Sequence, residues 1–175
     1  LSKTKKKELV KLQLTNIYAF PHWSHVLSAL QLEEIDNDII PIIKKAKRIG
    51  FGGGESESHK RFKDAIAKNP YLIGLNVCEG VTEYKLPSAD CIDILFIKKD
   101  QFIGVEVKSI ISAEEDILRG LFQCVKYKYL IEAEQIVKNK EPNSRIILVL
   151  QGKFPSKLLG VKNVLGIEVI DQIVI

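Results

Sequence analysis

Two carboxylates and a lysine stand in otherwise apolar sequence, where charged side chains are costly to bury unless they are paired or bind a metal. Asp93 lies in CIDILFI, and Glu106 and Lys108 lie two residues apart in GVEVK. Carboxylate oxygens are hard ligands that suit Mg²⁺, which can activate water and neutralise charge that develops on a phosphoryl group. A lysine beside the metal could hold the attacking water or stabilise that charge. The structural alternative is an ion pair of Lys108 with Glu106 or Asp93.

The segments that carry these residues predict two adjacent strands joined by a short polar turn. Because side chains alternate faces along a strand, Glu106 and Lys108 are expected on one face of the second strand. Asp93 is expected on one face of the first strand. The apolar neighbours are expected on the opposite faces: Ile92, Ile94, Phe96, Val105 and Val107.

A helix is predicted before these strands, from about residue 55 to the stop at Asn69-Pro70. At 100° per residue, Glu55 and His59 fall on the same side as the apolar Phe62, whereas Glu57 falls on the solvent side. Glu55 and His59 are therefore the helix residues expected to face a site.

A long amphipathic helix is predicted after the two strands, beginning at Ser112 with Glu115 three residues later as a capping box. Arg119, Gln123 and Tyr127 repeat every four residues along one flank of this helix. That polar stripe fits either a solvated helix edge or the wall of a site.

The whole chain predicts the order helix, three strands, helix, strand, helix, strand, because RIILVLQGK reads as a buried strand and GIEVIDQIVI as a last one. This order indicates an α/β fold, a sandwich with a mixed central sheet flanked by helices and an αβββαβ core. Residues 1–48 differ in character and predict a helical lead-in segment, with the main domain over residues 49–175.

The composition is that of one globular domain: 175 residues, 46% hydrophobic, with a net charge of +4 that permits a polyanionic partner without requiring one. The three cysteines form no CxxC pair, so they are expected to pack as small apolar groups. No apolar run reaches transmembrane length and no signal peptide is visible, which favours a cytoplasmic location without membrane association. The chain starts at Leu1 and lacks Met, which suggests a fragment of a longer protein.

Four pieces of sequence follow one another between about residues 50 and 150: GESESHK, CIDILF, GVEVKS and RGLFQCVKY. Together they resemble the PD-(D/E)xK nuclease superfamily, which has the restriction-endonuclease-like fold. The last piece is similar to the glutamine–tyrosine helix motif of recombination-exonuclease relatives, with Gln123 and Tyr127 in the matching positions. The helix end Ala-x-Asn-Pro resembles that of the superfamily's single-strand and mismatch endonucleases. As a departure, Ile92 rather than proline precedes Asp93, and Asp90 is a rival for its place.

The resemblance implies a metal-dependent deoxyribonuclease, acting as an endonuclease or exonuclease, with Mg²⁺ as the metal and Mn²⁺ as an alternative. Asp93 and Glu106 would hold the metal, and the resemblance adds the Val107 carbonyl as a ligand. Glu55 could supply a further carboxylate from the helix, directly or through water.

The remaining candidates would act around this metal. Lys108 would hold the attacking water or stabilise charge, Gln123 and Tyr127 would position the metal shell or backbone phosphates, and His59 would orient Glu55 or contact phosphate. Basic residues within 44–48, 60–63 and 126–128 are expected to track the phosphates of DNA. RNA as substrate, a homodimer and a non-catalytic nucleic-acid-binding or assembly module with the same fold are the alternatives.

Overall fold

The computed structural model describes residues 56–175 together with Pro41, Ile42 and Lys45. Helix α1 (Glu57–Lys68) begins after Ser56, whose hydroxyl accepts a hydrogen bond from the His59 N–H at 3.2 Å and so caps the helix. The helix ends at Lys68 with Asn69 as its C-cap, and Pro70 opens a short 3₁₀ turn (Pro70–Ile73). The predicted Asn-Pro stop is confirmed.

A five-stranded sheet follows in the spatial order β1-β2-β3-β4-β5, with strands β1 (Val81–Lys85), β2 (Cys91–Lys98), β3 (Gln101–Lys108), β4 (Ser144–Leu150) and β5 (Glu168–Ile170). The pairs β1–β2 and β2–β3 are antiparallel, whereas β3–β4 and β4–β5 are parallel. Helix α2 (Glu114–Val137) connects β3 to β4, and helix α3 (Leu159–Leu165), after a 3₁₀ turn (Ser156–Leu158), connects β4 to β5. The predicted mixed sheet flanked by helices is confirmed.

The sheet is buried on both faces. Helix α2 packs Leu118, Leu121 and Ile131 into a cluster that includes Leu95 of β2 and Leu148 of β4. Helix α1 packs its apolar residues into a second cluster with β2, β3 and β4: Phe62, Ile66, Ile94, Phe96, Val105, Val107 and Ile147. Full burial of one such side chain contributes about 1.5–3 kcal/mol, so the two clusters hold the central strands firmly between the helices.

One local prediction fails at the start of α2. The capping box is wrong, since Ala113 is the N-cap and no side chain caps the helix. The Ser112 N–H instead bonds the Ser109 carbonyl at 3.0 Å, and the Glu115 carboxylate pairs with Lys45 at 2.7 Å. Ser112 therefore belongs to a tight turn before the helix, and the Glu115 side chain binds a residue outside the helix rather than the main chain of its first turn.

Two further predictions need correction. The last strand ends at Ile170 rather than running to residue 175, because the chain turns and the Gln172 N–H bonds back to the Gly152 carbonyl. Cys124 is buried as expected, but Cys91 is half-buried and Cys78 is exposed in the loop before β1. The predicted lead-in over residues 1–48 lies outside the described residues, apart from Pro41, Ile42 and Lys45.

No helix among the described residues combines the length and the apolar character that crossing a membrane requires.

Candidate active site

Strands β2 and β3 part at the residues that carry the charges. Their antiparallel ladder runs from Lys98–Gln101 to Ile94–Val105 and stops there, one position before Asp93 and Glu106 would face each other. Beyond the last pair, the Val107 N–H donates to the Asp93 carboxylate (Oδ2) at 2.8 Å. The two strands therefore form a fork, closed at the hairpin and open at Asp93.

The other edge of β3 stays paired. Its ladder with β4 continues through Glu106–Leu148 and Lys108–Leu150, and the Gln151 N–H still bonds the Lys108 carbonyl at 3.0 Å. Because the N–H and C=O of one strand residue point to the same neighbouring strand, the Val107 carbonyl faces the fork as its N–H does. A main-chain oxygen is thus placed beside the Asp93 carboxylate.

Glu106 and Lys108 point to the same face of β3, as the alternation predicts. The Lys108 ammonium donates to Glu106 Oε1 at 2.8 Å, and the Glu106 side chain is 4% exposed. Val105 and Val107 pack on the opposite face, against the α1 cluster. The charged pair is therefore held in a nearly dry position on the α2 side of the sheet.

The electrostatics of the fork favour an added cation. Burial, and then the charge of Asp93, raise the pKa of Glu106 to about 7. Burial alone would raise the pKa of Asp93, but the interaction with His59, the charge of Lys108 and the hydrogen bond from the Val107 N–H together lower it. Burial alone would lower the pKa of Lys108, yet the Glu106 and Asp93 charges raise it. Two carboxylates thus share one ammonium, and the negative charge of Glu106 is only partly neutralised by Lys108.

Helix α1 brings His59 to this site. The His59 ring (Nε2) lies 3.7 Å from Asp93 Oδ2, and both side chains are mostly buried. Glu57 is exposed, as predicted. Glu55, the helix carboxylate expected to join the site, lies outside the described residues.

Helix α2 brings Gln123 and Tyr127 toward the same carboxylates. Gln123 Nε2 donates to the Tyr127 hydroxyl at 3.3 Å, and Tyr127 is buried. Burial raises the pKa of Tyr127, and the negative charges of Glu106 and Asp93 raise it further. Gln123 Oε1 is buried without a hydrogen-bond partner among the described residues. A buried acceptor of this kind calls for a bound partner such as water.

Gly120 is a contributor that the sequence analysis missed. A Cβ atom added there would lie 2.8 Å from Leu148 Cδ1 and 2.9 Å from Lys108 Cε, closer than such atoms approach. Glycine therefore lets α2 rest directly on the stem of the site lysine. The available signal was a glycine inside a long helix, which lowers helix stability and so indicates a packing reason.

The rival aspartate lies elsewhere. Asp90 precedes β2, pairs with Lys126 and accepts a hydrogen bond from Ser88 Oγ at 2.7 Å. Of the two candidates, Asp93 is the one that contacts β3.

The predicted phosphate-tracking role fails for two lysines, because both are buried in ion pairs: Lys126 binds Asp90, and Lys63 binds Glu83. Lys60 and Lys128 are exposed. Of the segment 44–48, Lys45 is described, and it pairs with Glu115.

The donor set at the fork suits a hard cation. Among the described residues, no three His, Cys, Asp or Glu side chains gather as a metal-binding cluster. The donors present are two carboxylates, Asp93 and Glu106, and the carbonyl that Val107 turns toward the fork. Mg²⁺ keeps several waters and binds through one or two carboxylates, whereas a structural zinc site needs four protein ligands. The incompletely compensated charge of Glu106 and the unpaired Gln123 oxygen also fit a hydrated cation.

Solved structures that are similar to this chain include the following two. One is a complex of EndoMS with double-stranded DNA, at 17% sequence identity and a TM-score of 0.47, covering 70% of this chain and 48% of that one. The other is a repair endonuclease from Pyrococcus abyssi, at 17% identity and a TM-score of 0.46, covering 69% of this chain and 49% of that one. This chain spans about half the length of each. No protein-family model matches the sequence, and no curated protein does.

Proposed function

We propose that this chain is a metal-dependent nuclease of the PD-(D/E)xK type that hydrolyses phosphodiester bonds in DNA. The observation that carries the proposal is the fork, where Asp93, Glu106, Lys108 and the main chain of Val107 converge in a nearly dry position. Asp93, Glu106 and the Val107 carbonyl would hold Mg²⁺ or Mn²⁺, with Glu55 as a further expected ligand. When bound, the metal would supply positive charge that lowers the pKa of water and neutralises the phosphoryl oxygens.

Lys108 acts as a donor in this proposal. Its pKa is raised, so it stays protonated at neutral pH and does not accept the proton of the attacking water. An ammonium has three N–H groups, and the hydrogen bond to Glu106 uses one of them. The other two can hold the water and a phosphate oxygen, where a fixed donor stabilises charge that develops in the transition state.

The helices orient the strand residues. His59 fixes the Asp93 carboxylate from the α1 side while the Val107 N–H holds the same oxygen from β3. From the α2 side, Gln123 presents an unpaired amide oxygen that can accept a hydrogen bond from an ordered water, and Tyr127 holds its amide nitrogen. These contacts position groups before the substrate arrives, which is where much of an enzyme's electrostatic stabilisation originates.

The decisive experiment compares the two aspartates. Plasmid, linear duplex, single-stranded DNA and RNA are incubated with the protein in Mg²⁺, Mn²⁺ or EDTA, and products are resolved on gels. Cutting of DNA is expected with either metal and not in EDTA; Asp93→Asn abolishes it, whereas the matched Asp90→Asn retains it. Binding of DNA without cutting by the wild type under every metal condition would instead indicate a non-catalytic module, and preferential cutting of RNA would reassign the substrate.

A further inference from the structure

Glu83 has a backbone conformation that strands do not use. Its φ is 54°, in the left-handed region, although it lies in the middle of β1. The other non-glycine residues with positive φ in the described chain lie outside strands: Ala89, Lys99, Asn139 and Gln172. A glutamate in this region is uncommon and strained, and such strain persists only where the surroundings impose it.

The strain falls directly opposite the candidate metal ligand. On either side of it, Thr82 pairs with Ile94 and Tyr84 pairs with Ile92, so Glu83 would face Asp93, yet that pair is missing from the ladder. The ladder from β2 to β3 also begins only at Ile94. Among the described strands, Asp93 therefore has no register partner on either side of β2.

The side chains on either side of Asp93 also show that the regular alternation of β2 is interrupted there. Regular alternation predicts Ile92 on the face of Ile94 and Phe96, but this prediction is wrong. Ile92 packs in the α2-side cluster with Leu95, whereas Ile94 and Phe96 pack in the α1-side cluster. The strand rotates at Asp93, which lets its carboxylate turn toward the Val107 N–H.

An ion pair with a buried lysine holds Glu83 in place. Lys63 of α1 pairs with the Glu83 carboxylate; the Lys63 side chain is 3% exposed and the Glu83 side chain is 55% exposed. Glu83 also accepts a hydrogen bond from Cys91 Sγ at 3.2 Å. His59, one helical turn before Lys63, contacts Asp93. A buried ammonium strongly requires its carboxylate partner, so α1 fixes the kink in β1 and touches Asp93 in β2 at the same time.

We infer that Lys63 and Glu83 form a lock that keeps β1 kinked and thereby holds the Asp93 carboxylate in the fork. They are positioning residues. Their effect on catalysis rests on the proposed nuclease function, whereas their effect on the geometry of Asp93 does not.

Two double variants separate the kink from the ion pair. Glu83→Gly with Lys63→Met removes both charges but leaves residue 83 free to keep a positive φ. Glu83→Thr with Lys63→Met removes the same charges but introduces a β-branched residue that favours extended strand and disfavours positive φ. The two proteins differ in the backbone preference of one residue.

The first measurement is amide hydrogen exchange at Val107 by NMR, in the absence of metal and DNA. The Thr variant is expected to let β1 pair with β2 through Asp93, which withdraws the carboxylate and raises Val107 exchange at least tenfold over the Gly variant. DNA cleavage is expected to fall in parallel, with kcat at least tenfold lower in the Thr variant and KM for DNA little changed. The Thr variant should nevertheless have the higher melting temperature of the two, because extended backbone at threonine relieves the strain. If the two residues only stabilised the fold, kcat and thermal stability would instead change in the same direction.

One control lies in the hairpin at the far end of β2, and a second lies at residue 83 itself. Lys99 also has a φ of 54° but lies in the turn between β2 and β3, so Lys99→Thr and Lys99→Gly should leave Val107 exchange unchanged. Glu83→Asp, with Lys63 intact, keeps a carboxylate for the ammonium and tolerates positive φ, so it should keep Val107 exchange within threefold of wild type. Equal Val107 exchange in the two double variants, raised or not, would mean that the kink in β1 does not hold Asp93, and it overturns the inference. Since exchange is read without substrate, the result stands even for a wild type that does not cut DNA.

Discussion

Strand β3 has two edges that behave differently over the same residues. Toward β4, its ladder runs unbroken through Glu106, Val107 and Lys108 and is prolonged by the Gln151 N–H. Toward β2, the ladder stops at Val105, and the polar groups beyond it face a side chain instead of a strand. The paired edge keeps the strand rigid, and the open edge leaves main-chain and carboxylate oxygens for a ligand. A rigid element with one unpaired edge is what precise placement of a metal and a phosphate requires.

The largest expected effect comes from removing the ammonium at the open edge. Lys108→Met keeps the length of the stem but removes the donor, and a loss of one transition-state donor typically costs about 10²–10³ in kcat. Single-turnover cleavage of a labelled duplex measures the loss, with binding of the same duplex followed separately. Lys98→Met, on the exposed end of β2 at the hairpin, is the matched control and should cut DNA as the wild type does. A wild-type kcat in Lys108→Met would show that Lys108 does not take part in catalysis.

The next effect tests how closely α2 rests on the open edge. Gly120→Ala places a methyl group against Leu148 and Lys108, and displacement of the lysine by a fraction of an ångström is expected to lower kcat about 10–100-fold. Gly160→Ala in α3 is the control, since a Cβ there meets no atom within 4 Å.

A second substitution separates displacement of the helix from displacement of the lysine. Adding Leu148→Val to Gly120→Ala removes the contact with Leu148 and should recover part of the thermal stability, but it leaves the contact with Lys108 and so should not restore kcat. Full recovery of kcat in that double variant would mean that the helix, and not Lys108, carries the effect.

The open edge also predicts a pH dependence of stability. Without metal, the pKa of Glu106 rises from 4.5 unfolded to about 7 folded, so the folded state binds the proton more tightly. Its contribution is complete below pH 4.5 and is lost as pH rises through 7, a decrease of about 3 kcal/mol for a shift of this size. The lowered pKa of Asp93 and the raised pKa of Lys108 act outside this window.

Urea unfolding in EDTA at several pH values from 4.5 to 8 measures this dependence. The amide in Glu106→Gln cannot titrate. The stability of this variant should therefore not fall between pH 4.5 and 8, and it should be more stable than the wild type at pH 8. An equal slope in both proteins would assign the dependence to another group.

The contrast between the two edges marks what the sequence could predict. Alternation along a strand is local, so the common face of Glu106 and Lys108 and the mixed sheet followed from the pattern of apolar residues. The fork did not, because it depends on where two ladders end, and the rotation of β2 at Asp93 lies opposite a kink in a different strand. Lys63 looked like one of several surface cations, since only tertiary contacts show that it is buried and that it pairs with Glu83.

The smallest effect is expected at the outer side of the paired edge. Arg145 in β4 binds Glu168 in β5 through two hydrogen bonds of 2.9 Å and 2.6 Å, and the hydrogen bond to Glu168 raises the pKa of Arg145. Both side chains are more than a third exposed, so water screens the pair. Glu168→Ala should lower the free energy of unfolding by about 0.2–1 kcal/mol and leave kcat unchanged, because the main-chain ladder holds this edge. Urea unfolding and cleavage assays on the same preparation measure both quantities. A tenfold loss of kcat would mean that β5 helps to place the site, and that the paired edge owes its rigidity to side chains as well as to the ladder.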